Sequence, residues 1–322
     1  MPPVTMTGPR PRPRAWVGYA LVAAAAASWG AQSVVAKLLL TSGLDAAALI
    51  STRTALATLT LVAALAGINP RLLRVGRGDL GRLVVLGIVG MAFSNYTYYF
   101  ALQRIPVATA VLLIYTAPLL VLAASVFLYR EPLLRTDLLA ATATLLGAAL
   151  VVRAYQPAVL QVNLAGVTAS ILNAVAWAFY SLWGKTLSPR VSPWTMLTYS
   201  LGSGAAFWTL LAPPWRLLLA PHPPLVWAGI AVVVLFGTLL PFALFLAGLA
   251  RISAAHASVT ATVEPVVAAA VAFAVLGERL DWPQLVGAVL ILSGIGLLHV
   301  RGGPASVTPR ARTARAPDAG RR

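Results

Sequence analysis

The sequence predicts an all-α membrane protein that crosses the bilayer ten times. Of its 322 residues, 59% are hydrophobic and only 10% are charged, whereas soluble domains carry roughly 25% charged residues. The apolar residues form long stretches without the alternation expected of membrane barrel strands. An internal repeat, described below, relates the first half of these stretches to the second. A soluble fold is therefore excluded.

Each predicted span has about the 20 apolar residues that a helix needs to cross a bilayer, and the fifth is the shortest. The spans cover 16–38, 46–66, 82–102, 105–128, 137–153, 165–184, 194–213, 225–248, 252–276 and 283–300. The loops between them are too short for a nucleotide-binding domain, and the G-x-x-x-x-G-K-[ST] motif does not occur. The sequence contains no cysteine, which excludes disulfides and thiolate metal sites. An ATP-driven pump within this chain is excluded as well.

The distribution of positive charge predicts the orientation. The net charge of +16 is typical of nucleic-acid binding, but 18 of the 24 Lys and Arg residues lie on the side of the amino terminus. Four lie on the opposite side and two lie inside predicted helices. The positive-inside rule then places both termini in the cytoplasm of a multi-pass inner-membrane protein. The basic tails, 1–15 and 301–322, are expected beside anionic lipids rather than nucleic acid, the second of them disordered.

The two halves of the chain repeat one another. The matches have offsets of 147 or 148 residues: Trp29 with Trp177, Lys37 with Lys185, Arg104-Ile105 with Arg251-Ile252, Ala117-Pro118 with Glu264-Pro265, and Gly147 with Gly294. The repeats cover 16–153 and 165–300 and are joined by an external linker, 154–164. Because each contains five helices, an odd number, the second is expected to lie upside down in the membrane.

Inverted repeats predict a secondary transporter. Two such copies can exchange conformations around a central site and so open it to each side in turn. An uncoupled facilitator or channel for the same solutes remains an alternative. A membrane-embedded enzyme would need catalytic pairs that the sequence does not display. We expect no cofactor and no metal, a small-molecule substrate, and either a monomer or a homodimer.

Several motifs of this sequence resemble the EamA family of the drug/metabolite transporter superfamily. They are Trp29-Gly30 with Lys37, the Tyr-Tyr-Phe-Ala-Leu run at 98–102, and the Pro…Glu spacings 118–131 and 265–278. The resemblance covers about 16–300. The first copy departs from it slightly, since it has Arg130-Glu131 where Gly-Glu is usual.

The resemblance implies a basket of ten helices. Its central cavity would be lined by the first, third, fourth, sixth, eighth and ninth helices. It also implies export or uptake of amino acids, other small metabolites or drugs, without identifying the substrate. We expect an exporter of amino acids or related amphipathic compounds.

Glu264 is the strongest candidate for a functional acid. It lies near the middle of the ninth predicted helix, whereas the other seven acidic residues lie in predicted loops or tails. A carboxylate inside a membrane is costly unless it is protonated, paired or in contact with water. One hypothesis is that it binds a cationic substrate or carries a coupling proton. The alternative is a structural carboxyl at the Pro265 kink.

Other candidates share predicted helix faces with the presumed cavity. Ser253, His256, Thr260 and Glu264 follow one face of the ninth helix, although a histidine near a helix end is also typical of the interface. The remaining cavity candidates, each of which could instead pack between helices, are Trp29, Gln32, Asn95, Tyr99, Tyr115, Trp177 and Tyr180. Such a cavity would bind amphipathic or aromatic solutes.

Five charged positions have other predicted roles. Lys37 and Lys185 are repeat-related and lie near helix ends, where extending to the headgroups is the default and substrate contact the alternative. Arg53 lies inside the second helix, and we interpret it as a buried structural cation whose partner the sequence does not identify. Glu131 and Glu278 are assigned to folding or gating at the loops.

Overall fold

The computed structural model describes residues 15–129, 134–157, 163–277 and 280–301. Within these ranges the chain forms ten long helical segments and no strands. The segments are α1 (Ala15–Thr41), α2 (Ala46–Ile68), α3 (Arg77–Leu102), α4 (107–129), α5 (Arg135–Val151), α6 (Leu164–Leu187), α7 (Pro193–Leu211), α8 (Pro224–Leu249), α9 (Ala254–Leu276) and α10 (Trp282–Arg301). Two short helices, Pro70–Leu73 and Trp215–Leu218, lie in connections. The predicted all-α fold class is confirmed.

Seven of these helices are long and apolar enough to cross a membrane, namely α1, α2, α3, α4, α6, α8 and α9. Over the described residues, α5, α7 and α10 are shorter or less apolar. The prediction that Asp79 and Asp137 lie in loops is wrong, because both lie in the first turns of helices. Carboxylates are favourable there, where they face unpaired N–H groups and the positive end of the helix dipole.

Side-chain caps define several helix starts. Asp45, Asn163, Ser192 and Ser253 each accept a hydrogen bond from the backbone N–H three residues further on. Such caps satisfy N–H groups that have no partner within the helix. The apolar spans therefore begin at polar residues that the sequence places just ahead of them.

Both α4 and α9 are interrupted near their middle. The helix Val107–Ile114 ends before Ala117–Tyr129 begins, and Ala254–Ala261 ends before Glu264–Leu276 begins. In each case a proline, Pro118 or Pro265, occupies the second position of the new helix. Proline has no N–H to donate, so it fits a first turn but not a helix interior. The two breaks are repeat-related, since Ala117 corresponds to Glu264.

A second pair of repeat-related irregularities lies in α3 and α8. Both contain a π-helical stretch, Leu86–Ala92 in α3 and Leu235–Leu239 in α8. At these stretches the neighbouring helix approaches closely. A Cβ built on Gly90 would lie 2.8 Å from the Tyr180 ring of α6, and one on Gly237 would lie 2.6 Å from the Gln32 amide of α1. Neither π-helical stretch was among the features predicted from the sequence.

The α5–α10 pair shows the twofold relation between the halves directly. A Cβ on Gly147 would lie 2.5 Å from the Gly287 carbonyl oxygen, and one on Gly294 would lie 3.0 Å from the Ala140 carbonyl oxygen. Adding 147 converts Gly147 into Gly294 and Ala140 into Gly287, so the two contacts exchange. Around this pair, α1 packs on α8 and α9, while α6 packs on α3 and α4.

Some predicted features fall outside the described residues. These are the terminal segments 1–14 and 302–322, part of the linker at 158–162, and the loop residues Arg130, Glu131 and Glu278.

Candidate functional site

A cavity of about 230 Å³ lies between the two repeats, at the breaks in α4 and α9. Its lining residues come from α1, α2, α4, α6, α8 and α9: Trp29, Gln32, Arg53, Ile114, Tyr115, Ala117, Pro118, Asn173, Trp177, Gly237, Phe242, Ser258, Ala261, Thr262 and Glu264. Pockets for drug-sized ligands are typically about 300–1,000 Å³. The cavity in this conformation therefore suits a small solute.

The helices around the cavity differ in one respect from those that the family resemblance implies. The described residues of α3 contribute nothing to the lining, and α2 contributes Arg53. The polar residues of α3 lie one layer behind, where Asn95 accepts a hydrogen bond from Arg53 Nη2 at 2.9 Å.

Aromatic rings form one wall of the cavity. Trp29 of α1 meets Trp177 of α6 edge to face, with centroids 5.6 Å apart, and Phe242 of α8 at 5.0 Å. Such arrangements are favoured by the ring quadrupoles. The repeat-related pair Trp29 and Trp177 thus meets at the interface between the two halves. This wall offers an apolar face to a bound solute.

Opposite charges lie on other parts of the wall. Glu264 occupies the first position of the second half of α9, where its carboxylate faces the cavity. Tyr98 and Tyr115 lie close enough to this carboxylate to interact with it electrostatically. Arg53 lies on the α2 side, and within the described residues no salt bridge joins it to Glu264.

Three lining residues present polar atoms that are buried without a hydrogen-bond partner in the described chain. These atoms are Gln32 Oε1, Arg53 Nε and Ser258 Oγ. Unpartnered buried polar atoms are uncommon and call for an explanation. The three residues line the cavity, while these particular atoms are enclosed by protein in this conformation.

Of the nine predicted site residues, Trp29, Gln32, Tyr115, Trp177 and Glu264 line the cavity. Asn95 lies behind Arg53, and its own amide donates to the Met91 carbonyl at 2.7 Å. The Tyr180 ring is fully buried and stacks under Trp177. The Tyr99 ring packs edge to face on Trp208, 6.5 Å away.

The ninth, His256, lies at one end of the bundle. We call the face where α1 begins the N-terminal face. There the Tyr19 hydroxyl and His256 Nδ1 are 2.5 Å apart, and His256 Nε2 is 3.4 Å from Asp137 Oδ1. This Tyr19–His256–Asp137 cluster links α1, α9 and α5. It lies outside the set of residues that line the cavity.

Lys185 also lies at the N-terminal face. Its ammonium group donates to the carbonyl oxygens of Leu249, at 2.8 Å, and Ile252, at 2.7 Å. These bonds join the end of α6 to the end of α8. Lys37, its repeat counterpart, is exposed at the end of α1.

Five polar or aromatic residues of the cavity wall are not among the predicted site residues: Arg53, Asn173, Phe242, Ser258 and Thr262. The sequence places the charge of Arg53 inside a membrane helix. Helix periodicity alone, however, does not show which neighbouring helix the side chain faces. Asn173 donates to the Ser94 carbonyl at 2.5 Å and so ties α6 to α3. Within the described residues, no three His, Asp or Glu side chains cluster as metal ligands would.

Comparisons with known proteins agree with this architecture. The sequence matches the model of the EamA-like transporter family twice, over residues 16–153 and 164–300. An uncharacterized transporter of Archaeoglobus fulgidus is 31% identical over 213 residues, which are 65% of this chain and 74% of that protein. A solved crystal structure superimposes with a TM-score of 0.75 at 19% identity, over 88% of this chain and 96% of the other, which shows the fold alone.

The two family matches fall on the two repeats that the sequence displays, and they cover most of the chain. The chain therefore belongs to the EamA-like transporter family.

Proposed function

We propose that this protein is a secondary transporter that moves a small organic solute by alternating access. The solute binds in the cavity between the repeats, and the bundle opens to one side of the membrane at a time. The expected solutes are amino acids or related amphipathic metabolites, and export is the expected direction. The aromatic wall, the polar lining residues and the small volume support such a solute.

The observation that carries this proposal is a difference between the two faces of the bundle. Toward the N-terminal face, the second half of α4 packs against the first half of α9. Over the described residues, the repeat-related halves toward the opposite face, Val107–Ile114 and Glu264–Leu276, have no comparable packing. Two repeats of similar sequence are thus packed differently at the two faces of the bundle.

Further contacts also hold the N-terminal face together. The first half of α9 also packs on α5 and α6, and the Tyr19–His256–Asp137 cluster and Lys185 add polar bonds there. Exchanging the roles of the two repeats would transfer these contacts to the opposite face. That exchange is the physical basis of alternating access in inverted repeats.

The positive-inside rule supports the assignment of the N-terminal face to the cytoplasm. The arrangement is then outward-facing, with the cytoplasmic end of the pathway closed. Both termini are cytoplasmic in this proposal, and the membrane is the inner membrane.

Paired cysteines test the proposed exchange, and the absence of native cysteine makes each pair unambiguous. In Asp137→Cys with His256→Cys, a short bifunctional thiosulfonate reagent should cross-link the N-terminal face. The repeat-related pair, Thr109→Cys with Gln284→Cys, is the matched control on the opposite face. We expect the first pair to cross-link efficiently in the resting protein and the second pair to cross-link poorly.

Flux measurements complete the test. Proteoliposomes with either pair cross-linked should lose solute flux, and dithiothreitol should restore it. If both pairs cross-link fully in the same molecules while flux continues, the pathway does not alternate. A channel or an uncoupled rigid facilitator would then replace the proposed mechanism.

A further inference from the structure

Arg53 is an unusual residue for the inside of a membrane helix. It lies seven residues after the start of α2, about 10 Å along the helix at 1.5 Å per residue. Its side chain reaches the cavity wall. Arginine inside a membrane is costly and is generally paired or placed at a functional site.

The bonds of this guanidinium leave it largely unsatisfied. Nη2 donates to Asn95 Oδ1 at 2.9 Å, whereas Nε is buried without a partner in the described chain. No described Asp or Glu lies within salt-bridge distance. A guanidinium has five N–H donors arranged to bind a carboxylate with two parallel bonds. The bond to the neutral Asn95 amide uses only one of these five donors.

Asn95 holds the arginine in this position. Its own NH2 group donates to the Met91 carbonyl at 2.7 Å, which directs Oδ1 toward Arg53. The Tyr98 and Tyr99 side chains interact electrostatically with the guanidinium. A structural cation would be expected to pair with an acid, but these neighbours are neutral.

We propose that Arg53 is an anion-binding residue of the cavity, which receives the carboxylate of a carboxylate-bearing solute. This inference rests on the proposed transport function and specifies its ligand. The apolar body of the solute would lie on the wall formed by Trp29, Trp177 and Phe242. Where the solute also carries an ammonium group, Glu264 provides the opposite charge on the same cavity.

Three matched probes separate the charges of the ligand. L-Phenylalanine carries a carboxylate and an ammonium group, 3-phenylpropionate only the carboxylate, and phenethylamine only the ammonium group. The thermal unfolding midpoint of the purified full chain is measured with increasing concentrations of each. We expect L-phenylalanine and 3-phenylpropionate to raise the midpoint through Arg53. Any shift that phenethylamine produces through Glu264 should be the same in Arg53→Gln as in the unmodified chain.

Variants then show whether Arg53 is responsible for the stabilisation by the carboxylate probes. Arg53→Gln should weaken the apparent affinity for both carboxylates by about ten- to hundredfold, the range expected for a hydrogen bond to a charged group. Arg53→Lys should retain part of it. The matched control is Arg104→Gln, which removes an exposed arginine whose Nη1 bonds to the Phe100 carbonyl. This control should bind like the unmodified chain.

Asn95→Asp provides a test that keeps the arginine. The new carboxylate should pair with Arg53 and occupy the anion site, so that both carboxylate probes lose their effect while the chain stays folded. Stabilisation by carboxylates that survives in Arg53→Gln and Asn95→Asp would overturn the proposal. So would stabilisation of the unmodified chain by phenethylamine but by neither carboxylate.

These outcomes are distinguishable from a failure of the transport mechanism. The cysteine cross-links report alternation between the two faces without reference to the charge of the ligand. A chain that alternates but binds only the amine would leave the proposed function in place and remove the role of Arg53.

Discussion

At the scale of single residues, the cavity combines two charges of opposite sign with a largely aromatic wall. Glu264 and Arg53 lie on separate parts of the lining and are not paired in the described chain. Each therefore retains capacity for a bound group. The carboxyl group of Glu264 can bind either a cationic group of the solute or a coupling proton.

Proton coupling through Glu264 predicts a specific loss in Glu264→Gln. In proteoliposomes with L-phenylalanine as the first probe, proton-driven accumulation should stop while downhill exchange continues, because the amide keeps the shape but cannot carry a proton. One proton moving through 100 mV supplies about 2.3 kcal/mol, which sustains a roughly fortyfold gradient. Asp79→Asn, at an exposed salt bridge with Arg82, is the control. Equal loss of both activities, or of neither, would remove Glu264 from coupling.

At the scale of helices, small residues at repeat-related positions allow backbones to approach. The α5–α10 pair is the clearest case, because a side chain on Gly147 or Gly287 would meet the carbonyl oxygen of the other. In lipid there is little hydrophobic drive for helices to associate, so close packing supplies much of the attraction. The contact joins the two repeats through residues that do not themselves line the cavity.

Gly147→Ala should therefore destabilise the folded protein by about 1–3 kcal/mol, the typical cost of overpacking. The added Cβ would lie 2.5 Å from a backbone oxygen, and the backbone cannot move aside as a flexible side chain would. Gly296→Ala in α10 is the matched control, because a Cβ there meets nothing within 4 Å. Its better helix propensity should leave the protein unchanged or stabilise it by up to about 1 kcal/mol. Thermal unfolding in detergent measures both; equal midpoints for the two variants would contradict the packing argument.

At the scale of the whole molecule, the proposed function depends on the second repeat being inverted relative to the first. The described contacts follow that relation, and the broken helices α4 and α9 pack on each other more closely at the N-terminal face than at the opposite face. The proposed orientation of this face toward the cytoplasm rests on the charge distribution alone.

Single cysteines test that orientation in intact cells. A membrane-impermeant maleimide should label Gln156→Cys, in the predicted external linker, and should not reach Ser306→Cys, in the predicted cytoplasmic tail. After the cells are permeabilised, both should be labelled, which controls for expression and reactivity. Labelling of both in intact cells would place the linker and the carboxyl end on one face, which an inverted five-helix repeat does not permit.

The sequence by itself determined the number of helices, the duplication and the lipid environment, because each of these depends on local hydropathy or on recurrence along the chain. It also placed a proline at both breaks, although the interruption of α4 and α9 was not predicted. Five of nine predicted site residues line the cavity, since an intramembrane polar or aromatic residue tends to face the protein interior.

Only the tertiary structure decided which faces meet. Helix periodicity shows which side chains share a face, but in lipid the outside of the bundle is as apolar as its core, so hydropathy does not distinguish them. Tyr180 is consequently buried behind Trp177, Asn95 lies behind Arg53, and His256 joins Tyr19 and Asp137 at one end. The closer packing at a single face also belongs to the tertiary structure, because two repeats of similar sequence do not by themselves specify which face packs more closely.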